Sequence, residues 1–245
     1  PITLNSRTMK FYISAWLVAV AAMFALTSAH GQTPGTLNAA TEQKIEDLKG
    51  DIEFIGEGEG LISPLDQLGS AYRILGNYDE AAEAYRRALK LSEEVHGKLH
   101  TQVAFSLNEL ASVLYEQAKY AAAEAMSWRS LALAKRLVGA EHRLVVDCSG
   151  VLGKVLSGQG KYAEADQHFE RALAICEKQF GEGHANTAKV LIGFAESQQK
   201  RGNHAKEKPL AERALAIQEK ALPPGHPDLA DTLETLAEIY AGLGG

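Results

Sequence analysis

The sequence predicts an all-α fold, an α-solenoid built of tandem antiparallel helix pairs. Two observations lead to it: a turn motif that recurs every 42 residues, and columns of apolar residues that keep the same period. A helix pair of this size cannot bury its apolar faces alone, so successive pairs must stack on one another. The four copies of the turn motif are Gly76-Asn77-Tyr78, Ala118-Lys119-Tyr120, Gly160-Lys161-Tyr162 and Gly202-Asn203-His204.

The apolar columns distinguish the two helices of each pair. On the first helix a large apolar residue precedes a small one, which lets two helix axes approach closely while the large side chain fills the gap. On the second helix an Arg precedes a small residue and a Leu. The first column is Leu68-Gly69, Leu110-Ala111, Leu152-Gly153, Phe194-Ala195 and Leu236-Ala237. The second is Arg87-Ala88-Leu89, Arg129-Ser130-Leu131, Arg171-Ala172-Leu173 and Arg213-Ala214-Leu215, with Leu91, Leu133, Ile175 and Ile217 as its aliphatic companions.

This order of residues resembles the tetratricopeptide repeat. Helix A carries the large-small pair, a Gly-x-Tyr turn follows, and helix B carries an alanine, here Ala81, Ala123 and Ala165. The family commonly has about 34 residues per unit, and the longer unit found here is similar to the kinesin light chain type. The resemblance covers about residues 63–245, as four complete repeats plus helix A of a fifth. It implies a right-handed superhelix whose helix A residues line a concave groove for peptides or protein segments.

Local signals predict where the array begins. Apolar residues at helical spacing predict a capping helix over 41–54, and the polar stretch 30–38 before it predicts a disordered tether. The glycine-rich stretch 56–60 predicts a flexible join. Ser63-Pro64 predicts an N-cap followed by a first-turn proline, so helix A of the first repeat is expected to start there.

The period then predicts the remaining helices. Gly76 is expected to end the first helix A, and the equivalent residue ends each later one. Because Glu207 replaces the alanine of the helix B column, the fourth repeat is expected to be the least stable. The expected pairs are 64–75 with 79–95, 102–117 with 120–138, 145–158 with 162–180, and 186–200 with 204–221, followed by a fifth helix A at about 228–241.

The first 29 residues predict a targeting signal. From Met9, a basic Lys10 precedes the apolar run 11–26 and the small residues Thr27-Ser28-Ala29, the order of a secretory signal peptide with its cleavage site. The run is slightly shorter than the ~20 residues that span a bilayer, so an uncleaved anchor is the alternative. Either interpretation places the repeats outside the cytoplasm, in a periplasmic or secreted protein. Because the sequence stops at Gly244-Gly245 with no helix B after the fifth helix A, further repeats or another domain are expected to follow.

Composition and motifs argue against several classes of function. The net charge of −6 falls to −8 without the leader, and no clustered basic stripe is present, so nucleic acid is not an expected partner. The basic stretch 200–208 has acidic residues among it and is interpreted as a solvated edge. No catalytic, phosphate-binding or cofactor-binding motif occurs. The sequence therefore predicts neither an enzyme nor a cofactor.

Histidine and cysteine invite a metal or redox interpretation. His100, His142, His184 and His226 keep the 42-residue period, but equivalent positions of stacked repeats lie too far apart to converge on one ion. They are expected to cap helices or pack in loops. Cys148 and Cys176 either form a disulfide in an oxidising compartment or are small buried apolar residues, and no zinc site is expected.

The concave positions implied by the resemblance give the candidate partner-binding residues. In the kinesin light chain type an asparagine on helix A holds the bound peptide backbone. Asn108 retains that asparagine, whereas Asp66, Gly150, Ile192 and Glu234 replace it in the other repeats. Phe105 and Tyr115 are the expected anchors, unless Phe105 packs against the preceding helix B. The candidate set is Phe105, Asn108, Ser112, Tyr115, Asp147, Lys154, Lys189, Glu196 and Gln199.

Two functions remain open from the sequence. The first is an extracytoplasmic interaction or scaffold module that binds a peptide or protein segment on its concave face. The second is a sensing or regulatory region of a larger enzyme, since bacterial arrays of this long-repeat type often resemble the front half of proteins that end in a CHAT protease-like domain.

Overall fold

The computed structural model describes residues 34–222 and, beyond them, residues 229, 232, 233 and 235–239. The predicted signal peptide, His226 and much of the expected fifth helix A lie outside the described residues. In the described part, no helix is long and apolar enough to cross a membrane. The elements are α1 (Pro34–Ile55), a 3-10 helix (Glu59–Leu61), α2 (Ile62–Ile74), α3 (Tyr78–His96), α4 (Thr101–Glu116), α5 (Tyr120–Val138), α6 (Arg143–Gly158), α7 (Tyr162–Phe180), α8 (Ala185–Arg201) and α9 (His204–Ala221).

Tandem helix pairs form the structure, as predicted. The chain divides into one compact unit over 34–175 and another from 176 onward, with the division inside α7. In the first unit α1 packs on α2. Helix α2 pairs with α3, and α4 pairs with α5. Successive pairs meet where α3 packs against α4 and where α5 packs against α6. In the second unit α8 pairs with α9. The fold is therefore an all-helical solenoid, and every helix predicted between 64 and 221 is present with ends within two residues of the prediction.

The turn between helix A and helix B has the same geometry in all four repeats. Gly76, Ala118, Gly160 and Gly202 have left-handed backbones, with φ of 75°, 56°, 78° and 74°. The next N–H donates to a carbonyl five residues back, as from Asn77 to Tyr72 at 2.9 Å, which closes the helix end as a Schellman motif. The prediction that Gly76 ends helix A is confirmed. Alanine adopts this backbone less readily than glycine, so the second repeat has the strained turn.

The histidine column caps the N-terminus of helix A. The Nδ1 atoms of His100, His142 and His184 accept the backbone N–H two residues later, at 3.2, 3.1 and 3.1 Å. Each bond satisfies one of the N–H groups that the first turn of a helix leaves without an intrahelical partner. The prediction that these histidines cap helices is thereby confirmed for the three described members of the column.

The beginning of the array corrects three predictions. Helix α1 starts at Pro34, so the 34–38 part of the predicted tether is helical, while 30–33 lie outside the described residues. Gly56 and Gly58 have φ of 75° and 101° and break the helix as expected, but Glu59–Leu61 form a 3-10 helix where a flexible join was predicted.

The third correction concerns Ser63, which does not cap a helix. The 3-10 helix runs directly into α2, which therefore begins at Ile62, one residue before Ser63. Leu61 and Ile62 are both buried. Burying these two aliphatic side chains favours helical backbone through this stretch, and the sequence signal of Ser followed by Pro does not override it.

The small residue of the helix A column is matched by the size of a side chain on helix B. A Cβ on Gly69 would lie 2.8 Å from the ring of Tyr85, and a Cβ on Gly153 would lie 2.8 Å from the ring of Phe169. The equivalent pairs are Ala111 with Ser127 and Ala195 with Ala211, and all four of these side chains are fully buried. Glycine therefore occurs where the facing side chain is an aromatic ring.

The two cysteines are buried and do not form a disulfide, which agrees with their interpretation as small core residues. Cys148 Sγ lies 3.0 Å from the Ser130 hydroxyl, and burial raises the pKa of the Cys148 thiol to about 11. At neutral pH this thiol is therefore protonated and has little nucleophilic character.

The fourth repeat departs from the others at the helix B alanine column. Glu207 is fully buried, and one of its oxygens lies 2.6 Å from His204 Nδ1, which replaces the tyrosine of the other turns. Its second oxygen, Oε1, has no hydrogen-bond partner. A buried acceptor without a partner is destabilising, which supports the expectation that this repeat is the weakest.

Candidate functional site

A groove of about 740 Å³ lies on the helix A side of the first two repeats, within the 34–175 unit. Residues from two consecutive helices A, α2 and α4, supply most of its wall, and the 3-10 helix and α3 complete it. The described lining residues are Glu59, Ile62, Ser63, Asp66, Gln67, Ser70, Tyr85, His96, Gln102, Phe105 and Glu109.

Tyr85 forms a polar point at the inner wall of the groove. Its ring is buried and occupies the space left by the missing side chain of Gly69. Its hydroxyl lies within hydrogen-bonding reach of Ser70 and of Glu109, and it donates toward the Glu109 carboxylate. Burial, followed by the negative charge of Glu109, raises the pKa of Tyr85. The phenol therefore remains neutral and can donate a hydrogen bond.

Asp66 is held by Gln102, which is itself bonded to the capping residue His100. His100 accepts the backbone N–H of Gln102, and the side chain of Gln102 donates to Asp66 Oδ2 at 2.6 Å. The other oxygen, Oδ1, is buried and has no hydrogen-bond partner. Burial and the charge of Glu109 raise the pKa of Asp66 to about 7, because both disfavour its ionised form.

Glu109 is the second carboxyl group of the groove. Burial raises its pKa, while Arg73 and a hydrogen bond from Asn108 act in the opposite direction. The Asn108 Nδ2 to Glu109 Oε1 distance is 3.4 Å. Asp66 and Glu109 therefore form a pair of carboxyl groups that repel each other in a partly desolvated wall.

His96 and Glu59 form a second polar contact among the lining residues. His96 Nε2 lies 3.9 Å from Glu59 Oε1, and the His96 ring stacks on that of His100 at a centroid distance of 4.2 Å. Among the described lining residues three are acidic, His96 is the one that can become cationic, and none is lysine or arginine. The groove is thus rich in negative charge.

The predicted stripe on α4 is divided between the surface and the interior. Phe105 is 40% exposed and lines the groove, whereas Asn108 is only 5% exposed and its Oδ1 has no hydrogen-bond partner. Ser112 and Tyr115 are half-buried, and the ring of Tyr115 lies 5.8 Å from that of Tyr120. The stripe therefore presents Phe105 to a partner more openly than its other members.

The remaining candidates do not line this groove. Asp147 is exposed, with one oxygen 3.8 Å from Arg143 on the same helix, and Lys154 is half-buried. Lys189, Glu196 and Gln199 belong to the second unit, and Gln199 donates to Glu238 at 3.2 Å.

Sequence reasoning overlooked Glu59, Tyr85, Gln102 and Glu109 as site residues. Gln102 could have been found from the sequence, because it lies two residues after the capping histidine His100. Tyr85 could be inferred only by pairing it with Gly69.

The family model described as tetratricopeptide repeat matches residues 61–136, 128–178 and 149–220. The chain belongs to the tetratricopeptide repeat family. Repeats of this family generally act as protein–protein interaction modules. No catalytic domain is evident among the described residues. No curated protein matches the sequence.

Several solved structures share the fold. BtubC (BKLC) from P. vanneervenii is 19% identical, with a TM-score of 0.61, over 84% of this chain and 83% of that one. A putative kinesin light chain with nearly identical TPR-like repeats from Podosopora anserina is 22% identical, with a TM-score of 0.58, over 75% and 87%. A Rap protein complexed with Competence and Sporulation Factor is 16% identical, with a TM-score of 0.71, over 99% of this chain and 62% of that one. These likenesses concern the fold alone.

Proposed function

We propose that this protein is an extracytoplasmic interaction module that binds an extended peptide, or a segment of a protein partner, in the groove lined by α2 and α4. The observation that supports this most strongly is the 740 Å³ groove itself, because it is formed by helix A residues of consecutive repeats. A segment laid across such helices contacts more than one repeat at once, so it gains contact area without a deep pocket.

Phe105 gives the groove its apolar contact. Its ring is 40% exposed although it lies beside buried residues of α4. Exposed aromatic rings with a rigid base are typical anchors of protein interfaces, because they offer a large contact area at a small loss of side-chain entropy. The half-buried Tyr115 lies on the same face of α4, ten residues after Phe105.

Binding of selected peptides to matched variants tests the site. Peptides chosen by display against the purified chain should lose at least tenfold in affinity for Phe105→Ala, measured by fluorescence polarisation. Trp128→Ala is the matched control, because Trp128 is 43% exposed but lies on helix B, its ring 5.3 Å from that of His168. Loss of binding in Trp128→Ala with full affinity in Phe105→Ala would move the site to helix B.

The compartment rests on the leader sequence and has its own test. The order of Lys10, the apolar run 11–26 and Thr27-Ser28-Ala29 predicts export and a mature chain that begins near His30. Mass spectrometry of the chain recovered from the extracytoplasmic fraction should give that N-terminus. Intact chain starting at Met9 in the soluble cytosol would contradict this part of the proposal.

A further inference from the structure

We infer that the groove selects partner segments that carry a lysine or arginine side chain, and that the cationic head group binds between Asp66 and Glu109. This inference rests on the proposed function, since it assigns a chemistry to the occupant of the same groove. Its support comes from three observations: the charge of the lining, an acceptor atom without a partner, and the electrostatics of the carboxyl pair.

The charge of the lining favours a cation. Glu59, Asp66 and Glu109 face the groove, and none of the described lining residues is lysine or arginine. His96 lies against Glu59, with 3.9 Å between Nε2 and Oε1. Arg73 influences Glu109 but is exposed and is not among the described lining residues. A cationic side chain therefore finds excess negative charge at Asp66 and Glu109.

One buried acceptor atom of the lining, Asp66 Oδ1, has no partner. Gln102 occupies Asp66 Oδ2, which leaves the buried Oδ1 without a hydrogen bond. Asn108 is not among the described lining residues, but its amide group donates to Glu109 next to it. Buried acceptors are nearly always hydrogen-bonded, and leaving one unpaired is destabilising. The several N–H donors of an ammonium or guanidinium group can satisfy the Asp66 atom and bridge to Glu109.

An organic cation fits the carboxyl pair better than a metal ion. In the part of the chain that the structure describes, no group of three or more His, Cys, Asp or Glu side chains is arranged to hold a metal. The adjacent apolar surface of Ile62 and Phe105 suits the methylene stem of lysine or arginine, which packs on apolar surface while the head group remains in a polar environment. A long cationic side chain uses both parts of the lining.

The raised pKa of Asp66 gives the binding a pH dependence. Burial and Glu109 hold this pKa at about 7 in the free groove. A cation binds the ionised carboxylate, so a proton on Asp66 competes with it. Between pH 8 and pH 6 the ionised fraction falls about tenfold for a pKa near 7, and the affinity for a cationic side chain should fall by the same factor. The other titratable or charged groups around Asp66 are Glu59, Tyr85, His96 and Glu109, with Arg73 nearby.

Arrays of matched nonapeptides test the inference directly. Each peptide background is made with arginine, lysine, citrulline or glutamate at one central position, and binding of the purified chain is measured at pH 8. Arginine and lysine peptides should bind at least tenfold more tightly than their citrulline and glutamate counterparts. Asp66→Asn and Glu109→Gln should abolish this preference, with unchanged helical content by circular dichroism. Glu94→Gln, which removes the same charge from an exposed position of helix α3, should leave it intact.

The pH dependence of binding distinguishes Asp66 from the other titratable groups of the groove. The intact chain and His96→Gln should both lose about tenfold in affinity for the arginine peptide between pH 8 and pH 6, whereas Asp66→Asn should bind equally at both values. A constant affinity in the intact chain, or the same fall in Asp66→Asn, would overturn the assignment to Asp66.

The two proposals fail in different ways. Peptide binding that depends on Phe105 but is indifferent to charge would overturn the cation inference and leave the proposed groove in place. Cation-selective binding that survives both Asp66→Asn and Glu109→Gln would also overturn it. The absence of Phe105-dependent binding for every peptide would overturn both proposals.

Discussion

The first and third repeats close their helix pair with a glycine against an aromatic ring, whereas the second and fourth use alanine against a small side chain. Gly69 faces Tyr85 and Gly153 faces Phe169, while Ala111 and Ser127, and Ala195 and Ala211, are the equivalent buried pairs. Each column taken alone looks loosely specified. Taken together, they show that the two positions share space: a ring on helix B occupies the place of a Cβ on helix A, and a small residue on helix B leaves room for alanine, as expected of a closely packed interior.

The largest expected effect comes from removing the ring. Phe169→Ala should lower the free energy of unfolding by ~3 to 5 kcal/mol, because it leaves a cavity next to Gly153. Adding Gly153→Ala to this variant recreates the pair of the fourth repeat and should restore about 1 kcal/mol, since the new methyl group fills part of the cavity and alanine favours a helix. Urea denaturation of the two variants measures the difference. A double variant less stable than Phe169→Ala would show that the two positions do not share volume.

The second expected effect is that one kind of substitution, glycine to alanine, lowers stability at one position of α6 and raises it at another. In the intact chain Gly153→Ala should destabilise by ~1 to 3 kcal/mol, because its Cβ would lie 2.8 Å from the Phe169 ring. Gly150→Ala, three residues earlier on α6, should instead stabilise by ~0.5 to 1 kcal/mol, because a Cβ there meets no atom within 4 Å. Equal effects at Gly150 and Gly153 would contradict the pairing of Gly153 with Phe169.

These pairs also show what the sequence could and could not predict. The helix ends were predictable because local signals set them: the turn at Gly76 and the capping histidines act within a few residues. The prediction that Ser63 caps α2 was wrong, since burial of Leu61 and Ile62 overrode the Ser63-Pro64 signal. The acidic wall of the groove was only partly predictable. Asp66 belongs to a helix A column, but Glu109 does not, and the place of Tyr85 beside it depends on a glycine one helix away.

The turns give a smaller effect, at the one repeat that has alanine where the others have glycine. Ala118 has φ of 56°, and a left-handed residue with a side chain costs ~1 to 2 kcal/mol. Ala118→Gly should stabilise by ~0.5 to 1 kcal/mol, because the added flexibility of the unfolded chain offsets part of the gain. The converse variant, Gly160→Ala, should destabilise by a similar amount in the same denaturation assay. A destabilising Ala118→Gly would mean that the methyl group of Ala118 contributes more than its backbone costs.

The smallest effect concerns a position in the middle of the array where two like charges replace the ion pair found in the neighbouring repeats. Arg129 pairs with Glu93, and Arg213 pairs with Glu177 at 2.6 Å, each with a residue 36 positions earlier. At the equivalent place Arg171 meets Lys135, whose pKa is lowered by burial and by the charge of Arg171. Lys135→Glu should therefore replace a repulsion by an attraction and stabilise by about 0.5 kcal/mol, as is usual for an exposed pair.

Matched variants and a local probe make this small change measurable. Lys135→Gln removes the repulsion without adding an ion pair, so its stability should fall between those of the intact chain and Lys135→Glu, and high salt should reduce the differences. Burial and then the charge of Lys135 lower the pKa of His168. An NMR titration of His168 should therefore show a higher pKa in Lys135→Glu than in Lys135→Gln, because the glutamate adds a negative charge where the glutamine only removes a positive one. An unchanged His168 titration in both variants would show that the charge of Lys135 does not act on His168. The contact between Lys135 and Arg171 would then have no electrostatic consequence at this position.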